Sequence, residues 1–126
     1  MSKKLDAGHG YHVRVTAART ILIYLVAMVG ELAGTYFFWR WRRESGPLWF
    51  VAPGVAALLL YALVQTLQPS NQYGRVFAAY AAVFLVGAIV WGMVFDRFKP
   101  DRFDIIGAAI ALVGAIIILW GRQIFK

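Results

Sequence analysis

Four long apolar runs, separated by short polar or charged stretches, dominate the pattern along the chain. A hydrocarbon core about 30 Å thick is crossed by roughly 20 helical residues, which matches the scale of these runs. The period-two alternation of β-strands is absent. The pattern predicts an all-α integral membrane protein with four transmembrane helices, joined by short loops, at about 20–39, 47–67, 76–95 and 103–121.

Local signals refine these helices. Short connections imply that neighbouring helices run antiparallel. Pro53 and Gly54 fall inside the predicted second helix, where they favour either a kink or tight packing. Asp101 and Asp104 stand at the start of the fourth helix, where we expect them to cap it.

The flanking segments are basic. Residues 1–19 are predicted to form a basic N-terminal tail, and residues 122–126 a short C-terminal tail. A cleavable signal peptide is not expected, because the apolar run that follows is too long and lacks a clear small-residue cleavage site. His9 and His12 alone are too little to predict a metal site.

Composition supports a membrane protein. Hydrophobic types make up 61% of the residues and charged types only 15%, whereas soluble domains carry about 25% charged residues. The absence of cysteine excludes a disulfide framework and a thiolate metal site. An enzyme is not expected, because no nucleophile–base pair, metal-ligand spacing or phosphate-binding glycine loop is present.

The net charge of +7 is spread over both sides of the predicted bundle. Lys and Arg are almost equally frequent on the two sides, so the positive-inside rule selects no orientation. This distribution gives no indication of nucleic-acid binding. It suggests either insertion in both orientations, with pairing as an antiparallel homodimer, or a single, poorly marked orientation.

One charged residue, Glu31, lies near the middle of the first predicted span. An ionised carboxylate there costs roughly 2.5–3.5 kcal/mol on insertion scales, and no Lys or Arg lies within the four predicted spans. Protonation, a water-filled cavity or a bound cation would relieve this cost. A carboxyl group that exchanges a proton for a cation is the physical basis of a coupled transporter, whereas a protonated Glu bonded to helix backbone is the structural alternative.

The surroundings of Glu31 favour function. Its helix face mixes small, hydroxyl and aromatic residues, namely Tyr24, Ala27, Met28, Gly34, Thr35 and Phe38. Four helices barely enclose a cavity, so two copies are expected to build one. Small residues also line one face of the fourth helix, which predicts a dimer contact through Gly107, Ala111, Gly114 and Ala115, with packing inside the protomer as the alternative.

Three motifs resemble the YnfA family of small membrane proteins. They are Glu31-Leu-Ala-Gly-Thr-Tyr36 continuing to Trp41, Gly74-Arg75-Val76-Phe77-Ala78-Ala79-Tyr80, and Pro100-Asp101-Arg102-Phe103-Asp104 before Gly107-Ala108. The resemblance covers about residues 20–121. That family is similar to the small multidrug resistance transporters of the drug/metabolite transporter superfamily.

The resemblance implies a four-helix protomer, an antiparallel homodimer in the cytoplasmic membrane, and proton-coupled export of small organic or lipophilic cations. The essential first-helix carboxylate of those transporters corresponds to Glu31, and their third-helix Tyr to Tyr80. Tyr36 and Tyr61 are further candidates for lining the cavity. No cofactor is expected beyond protons as the coupling ion. Two other functions stay open, a flippase for a lipid-linked group and a non-transporting membrane subunit.

Overall fold

Four α-helices form the protein. The computed structural model describes the backbone of residues 2–125 and the side chains of residue 14 and residues 16–125. The helices are α1 (Ser2–Arg43), α2 (Val51–Gln65), α3 (Tyr73–Phe95) and α4 (Arg102–Ile124), and a short 3-10 helix, Leu48–Phe50, leads into α2. The described residues contain no strand, which confirms the predicted all-α class.

All four helices are long and apolar enough to cross a membrane, when the 3-10 turn is counted with α2. In α1 the spanning part is Thr16–Arg43. Helix α1 itself begins at Ser2, far earlier than the predicted boundary near residue 20. The predicted and observed boundaries differ because they depend on different properties. The end of the charged residues indicates where the chain enters lipid, whereas the helix extends as far as its backbone hydrogen bonds continue.

Two of the local predictions are resolved by the structure. Asp101 caps α4, because its carboxylate accepts a hydrogen bond from the Asp104 backbone N–H and the Asp104 carboxylate accepts one from the Asp101 N–H, both 2.9 Å long. Pro53 lies in the first turn of α2, where a missing N–H costs little. Gly54 instead provides tight packing, since a Cβ there would lie 3.0 Å from the Phe38 ring.

The helices form an open row rather than a closed bundle. Helix α1 packs against α2 on one side and α3 on the other, while α4 packs only against α3. Within the described part of the chain, the α2 backbone does not approach that of α3 or α4. The core lies along α3, which packs against α1 on one side and α4 on the other, and it is built largely from small residues and tyrosine rings.

The contact between α1 and α2 depends on two glycines that flank the membrane-embedded acid. A Cβ on Gly30 would lie 3.2 Å from the Ala57 carbonyl oxygen, and a Cβ on Gly34 would lie 3.0 Å from the Gly54 carbonyl oxygen. Glycines four residues apart let membrane helices approach closely. This spacing brings the α1 face around Glu31 against α2.

Candidate functional site

The carboxyl group of Glu31 is held between helices in the middle of the α1 span. The Tyr80 hydroxyl donates a 2.6 Å hydrogen bond to Glu31 Oε2. Glu31 is only half-buried. The ion pair among the described side chains joins Arg40 and Glu44 at the end of α1 and does not involve Glu31. The carboxyl group therefore has a hydroxyl donor but no basic partner among those side chains.

Tyr80 is the centre of an aromatic cluster, which we call the tyrosine cluster. Its side chain is 4% exposed. Its ring lies 5.6 Å from that of Tyr24 on α1 and 5.7 Å from that of Tyr61 on α2, measured between centroids. Phe77 and Phe84 of the same helix complete the cluster at 6.3 and 6.1 Å. Packing on several sides fixes the direction in which the Tyr80 hydroxyl points.

Tyr24 anchors this cluster to the backbone. Its side chain is 2% exposed, and its hydroxyl donates a 2.6 Å hydrogen bond to the Val76 carbonyl oxygen. Sequence reasoning placed Tyr24 on the face of Glu31 but did not include it among the site residues. The available signal was its spacing of seven residues from Glu31, which is two helical turns.

The structure brings together three of the four predicted site residues. Glu31 and Tyr80 are in direct contact, and Tyr61 joins them through the Tyr80 ring. Tyr36 lies elsewhere. Its hydroxyl donates a 3.2 Å hydrogen bond to the Phe95 carbonyl oxygen, near the end of α3.

An apolar cavity of about 380 Å³ lies beside the site, between α1 and α3. Met28 and Leu32 line it from α1, and Val83 and Gly87 line it from α3. Met28 fills the notch at Gly87, where a Cβ would overlap the Met28 sulfur. Glu31 and Tyr80 do not line this cavity, and its apolar wall suits hydrocarbon or aromatic groups.

Gln65 is a further polar residue inside the protein. It is 4% exposed, and neither its amide nitrogen nor its amide oxygen has a hydrogen-bond partner among the described residues. It lies four residues, one helical turn, after Tyr61 on α2. The sequence analysis did not include Gln65 among the site residues.

Comparisons with known proteins agree with this architecture. The family described as "Uncharacterised BCR, YnfA/UPF0060 family" matches residues 17–124. The chain belongs to the YnfA/UPF0060 family. A UPF0060 membrane protein of Arthrobacter sp. (strain FB24) is 45% identical over 109 residues, covering 86% of this chain and 96% of that protein. No solved structure matches the chain.

Other UPF0060 membrane proteins have similar identity. One from Nocardia farcinica is 43% identical over 86% of this chain and 98% of its own length. One from Mycobacterium marinum is 45% identical over 83% of this chain and 96% of its own length. Together with the four apolar helices, these matches establish a multi-pass membrane protein of the UPF0060 family.

The predicted dimer face of this UPF0060 chain divides into two parts. Ala115 is buried in the core of the protomer, and Ala111 packs against that core. Gly107 and Gly114 differ, because a Cβ on either would meet no atom within 4 Å. Only these two glycines remain open on the outside of α4.

Proposed function

We propose that the protein is a proton-coupled transporter that exports small organic or lipophilic cations. The observation that carries this proposal is the 2.6 Å hydrogen bond from Tyr80 to a mid-membrane carboxyl group that has no basic partner among the described side chains. Acids within membrane spans are costly and commonly mark ion or substrate pathways. An ionised Glu31 needs a counter-charge, which a proton or a cationic substrate supplies.

The surroundings of Glu31 favour organic over inorganic cations. The Tyr61 and Tyr80 rings offer π faces, which attract cations. The adjacent cavity of about 380 Å³ is lined by apolar groups, which suits the hydrocarbon part of a lipophilic cation. Competition between proton and substrate for one carboxylate then couples export to the proton gradient.

A homodimer would complete the transport pathway. The row of helices leaves the α2 and α3 backbones apart, and Tyr61 and Tyr80 connect them through side chains. A second, antiparallel copy would enclose this gap and supply a second Glu31. Exchange of the roles of the two copies would expose the cavity alternately to each side of the cytoplasmic membrane.

Reconstituted transport tests the proposal. Purified protein in liposomes is assayed with a panel of organic cations under a pH gradient, with Glu31→Gln and Glu31→Asp alongside. We expect Glu31→Gln to abolish gradient-driven flux, because the amide cannot exchange a proton for a cation. Glu31→Asp keeps the carboxyl group. This variant should still bind cations in a pH-dependent manner and transport them at a reduced rate.

The matched control is Asp101→Asn, which removes an exposed acid at the start of α4 and leaves a good helix cap. This variant should transport like the wild type. Full transport by Glu31→Gln would contradict the proposed mechanism. Movement of lipid headgroups without cation flux would instead favour a flippase, and co-purification of another chain with no activity of the isolated protein would favour a non-transporting subunit.

A further inference from the structure

A second cavity, which we call the surface cavity, lies between α1 and the C-terminal end of α3. Its volume is about 200 Å³. Three aromatic rings, a hydroxyl and a carboxylate contribute to its wall, from Tyr36, Trp39, Trp91, Thr35 and Asp96. This combination differs from the apolar cavity near Met28.

The surface cavity lies on the C-terminal side of Glu31 along α1, and Leu32 is its lining residue nearest to Glu31 in the sequence. Along α1, Thr35 lies one turn and Trp39 two turns beyond Glu31, or about 6 and 12 Å at the usual rise. Asp96 and Trp39 are exposed at the outer end. At the inner end, the Thr35 hydroxyl donates a 2.7 Å hydrogen bond to the Glu31 carbonyl oxygen.

The end of α3 carries one acid and two bases. Asp96 directly follows the last turn of α3, and Arg97 and Lys99 come after it. Asp96 lines the surface cavity, whereas Arg97 and Lys99 do not. The negative end of a helix dipole lies at its C-terminus. Asp96 forms no ion pair among the described side chains, so its carboxylate and the dipole act together on a cation in the surface cavity.

The aromatic wall offers π faces, which attract cations. The rings of Tyr36 and Trp91 pack edge to face, with centroids 6.0 Å apart and an interplanar angle of 72°. Because the edge of one ring covers a face of the other, a cation would bind beside this pair of rings and not between them. The same wall already attracts guanidinium groups, since Arg40 lies 5.9 Å from the Tyr36 ring centre and Arg43 lies 4.9 Å from that of Trp39.

The geometry points to the surface cavity as a binding subsite for an organic ammonium group, held by Asp96 and the paired rings of Tyr36 and Trp91. In transport it captures the cation before transfer to Glu31, and this role rests on the proposed function. Binding itself does not depend on Glu31. The Arg40 guanidinium group competes with a bound cation for the Tyr36 ring. Its ion pair with Glu44 keeps it beside the cavity.

Binding of tetramethylammonium to the purified full chain tests the subsite. Calorimetric titration is carried out in phospholipid-free detergent on Glu31→Gln, in which the central carboxylate is absent. We expect binding to persist in that background and to weaken about fivefold when Asp96→Asn is added, the scale of one exposed ion pair. Arg40→Gln should tighten it. The control is Asp101→Asn, which removes a charge from the same loop and leaves a good helix cap.

The outcomes separate this proposal from the proposed function. Loss of all binding in Glu31→Gln, or equal affinity with and without Asp96→Asn, would overturn the subsite without affecting the proposed transport mechanism. Persistent binding that depends on Asp96, together with wild-type transport by Glu31→Gln, would support the subsite and overturn the transport mechanism.

A phospholipid headgroup carries the same ammonium chemistry as a free cation. The titration is therefore repeated in nanodiscs of phosphatidylcholine and of phosphatidylglycerol. Equal tetramethylammonium affinity in both would support capture of free cations. Weaker binding in phosphatidylcholine alone would show that the lipid headgroup occupies the cavity. That result would overturn the proposal that the cavity captures free cations.

Discussion

Tyr80 on α3 donates a 2.6 Å hydrogen bond to Oε2 of Glu31 on α1. This contact joins two helices that pack against each other, and it involves the acid in the middle of the α1 span. Because the buried Tyr80 ring is fixed by its packing, its hydroxyl orients the carboxyl group on which the proposed transport mechanism depends.

Tyr80→Phe should weaken cation binding at Glu31. The ring and its packing remain, but the carboxyl group loses a hydrogen bond of the kind worth about 1.5–3 kcal/mol, so it is held less firmly between the helices. The measurement is cation affinity at one fixed pH. Tyr24→Phe is the control, because it removes a buried hydroxyl bonded to Val76, and an equal loss of affinity in both variants would contradict the role of Tyr80.

Gly34→Ala should weaken the contact between α1 and α2. The new Cβ would lie 2.7 Å from Leu58 Cγ and 3.0 Å from the Gly54 carbonyl oxygen, so the helices must separate. Overpacking of this kind costs about 1–3 kcal/mol, which thermal unfolding in detergent would detect. Gly74→Ala is the matched control, since a Cβ there meets nothing within 4 Å. Equal stability of the two variants would refute this packing.

Gly107→Leu should weaken dimerisation without unfolding the protomer. The position is open on the outside of α4, so a larger side chain can clash only with another molecule. We expect less dimer on crosslinking in membranes. Ile116→Leu is a volume-matched control on the same helix. An unchanged crosslinking pattern for Gly107→Leu would exclude this face from the dimer.

Gln65→Met should raise the free energy of unfolding by about 1 kcal/mol, because a buried amide without partners is replaced by an apolar chain of similar size. Gln68→Met is the comparison, since the Gln68 amide donates a 3.5 Å hydrogen bond to the Thr20 carbonyl oxygen and should not gain stability. Thermal unfolding of both in one detergent distinguishes them. A loss of stability in Gln65→Met would mean that a bound molecule or second copy satisfies the amide.

Reporter fusions at the C-terminus should show activity on both sides of the membrane. Lys and Arg are nearly balanced between the two flanks, so neither orientation is strongly favoured. An antiparallel homodimer of one chain requires both. A signal confined to one side would exclude dual orientation.

The sequence by itself determined the class of fold and the number of spans. Apolar length and the lack of charge suffice for that, because the bilayer imposes one strong requirement on every spanning segment. The sequence also predicted that Asp101 and Asp104 cap α4, because the capping hydrogen bonds connect residues only three positions apart. The apolar pattern indicates where α1 enters lipid but not that the helix begins at Ser2, since backbone hydrogen bonding does not depend on apolar side chains.

Only the tertiary structure decided which polar groups meet. Glu31 stands out in the sequence as a lone mid-span acid. Its partner Tyr80 is 49 positions away along the chain, and their contact depends on how α1 and α3 are rotated against each other. Tyr36 lies five residues beyond Glu31 on α1, and the packing of α1 against α3 places it beside Phe95 and in the wall of the surface cavity. Helical spacing tells which residues share a face, whereas the contacts between helices, such as those of Gly30 and Gly34 with α2, decide what each face meets.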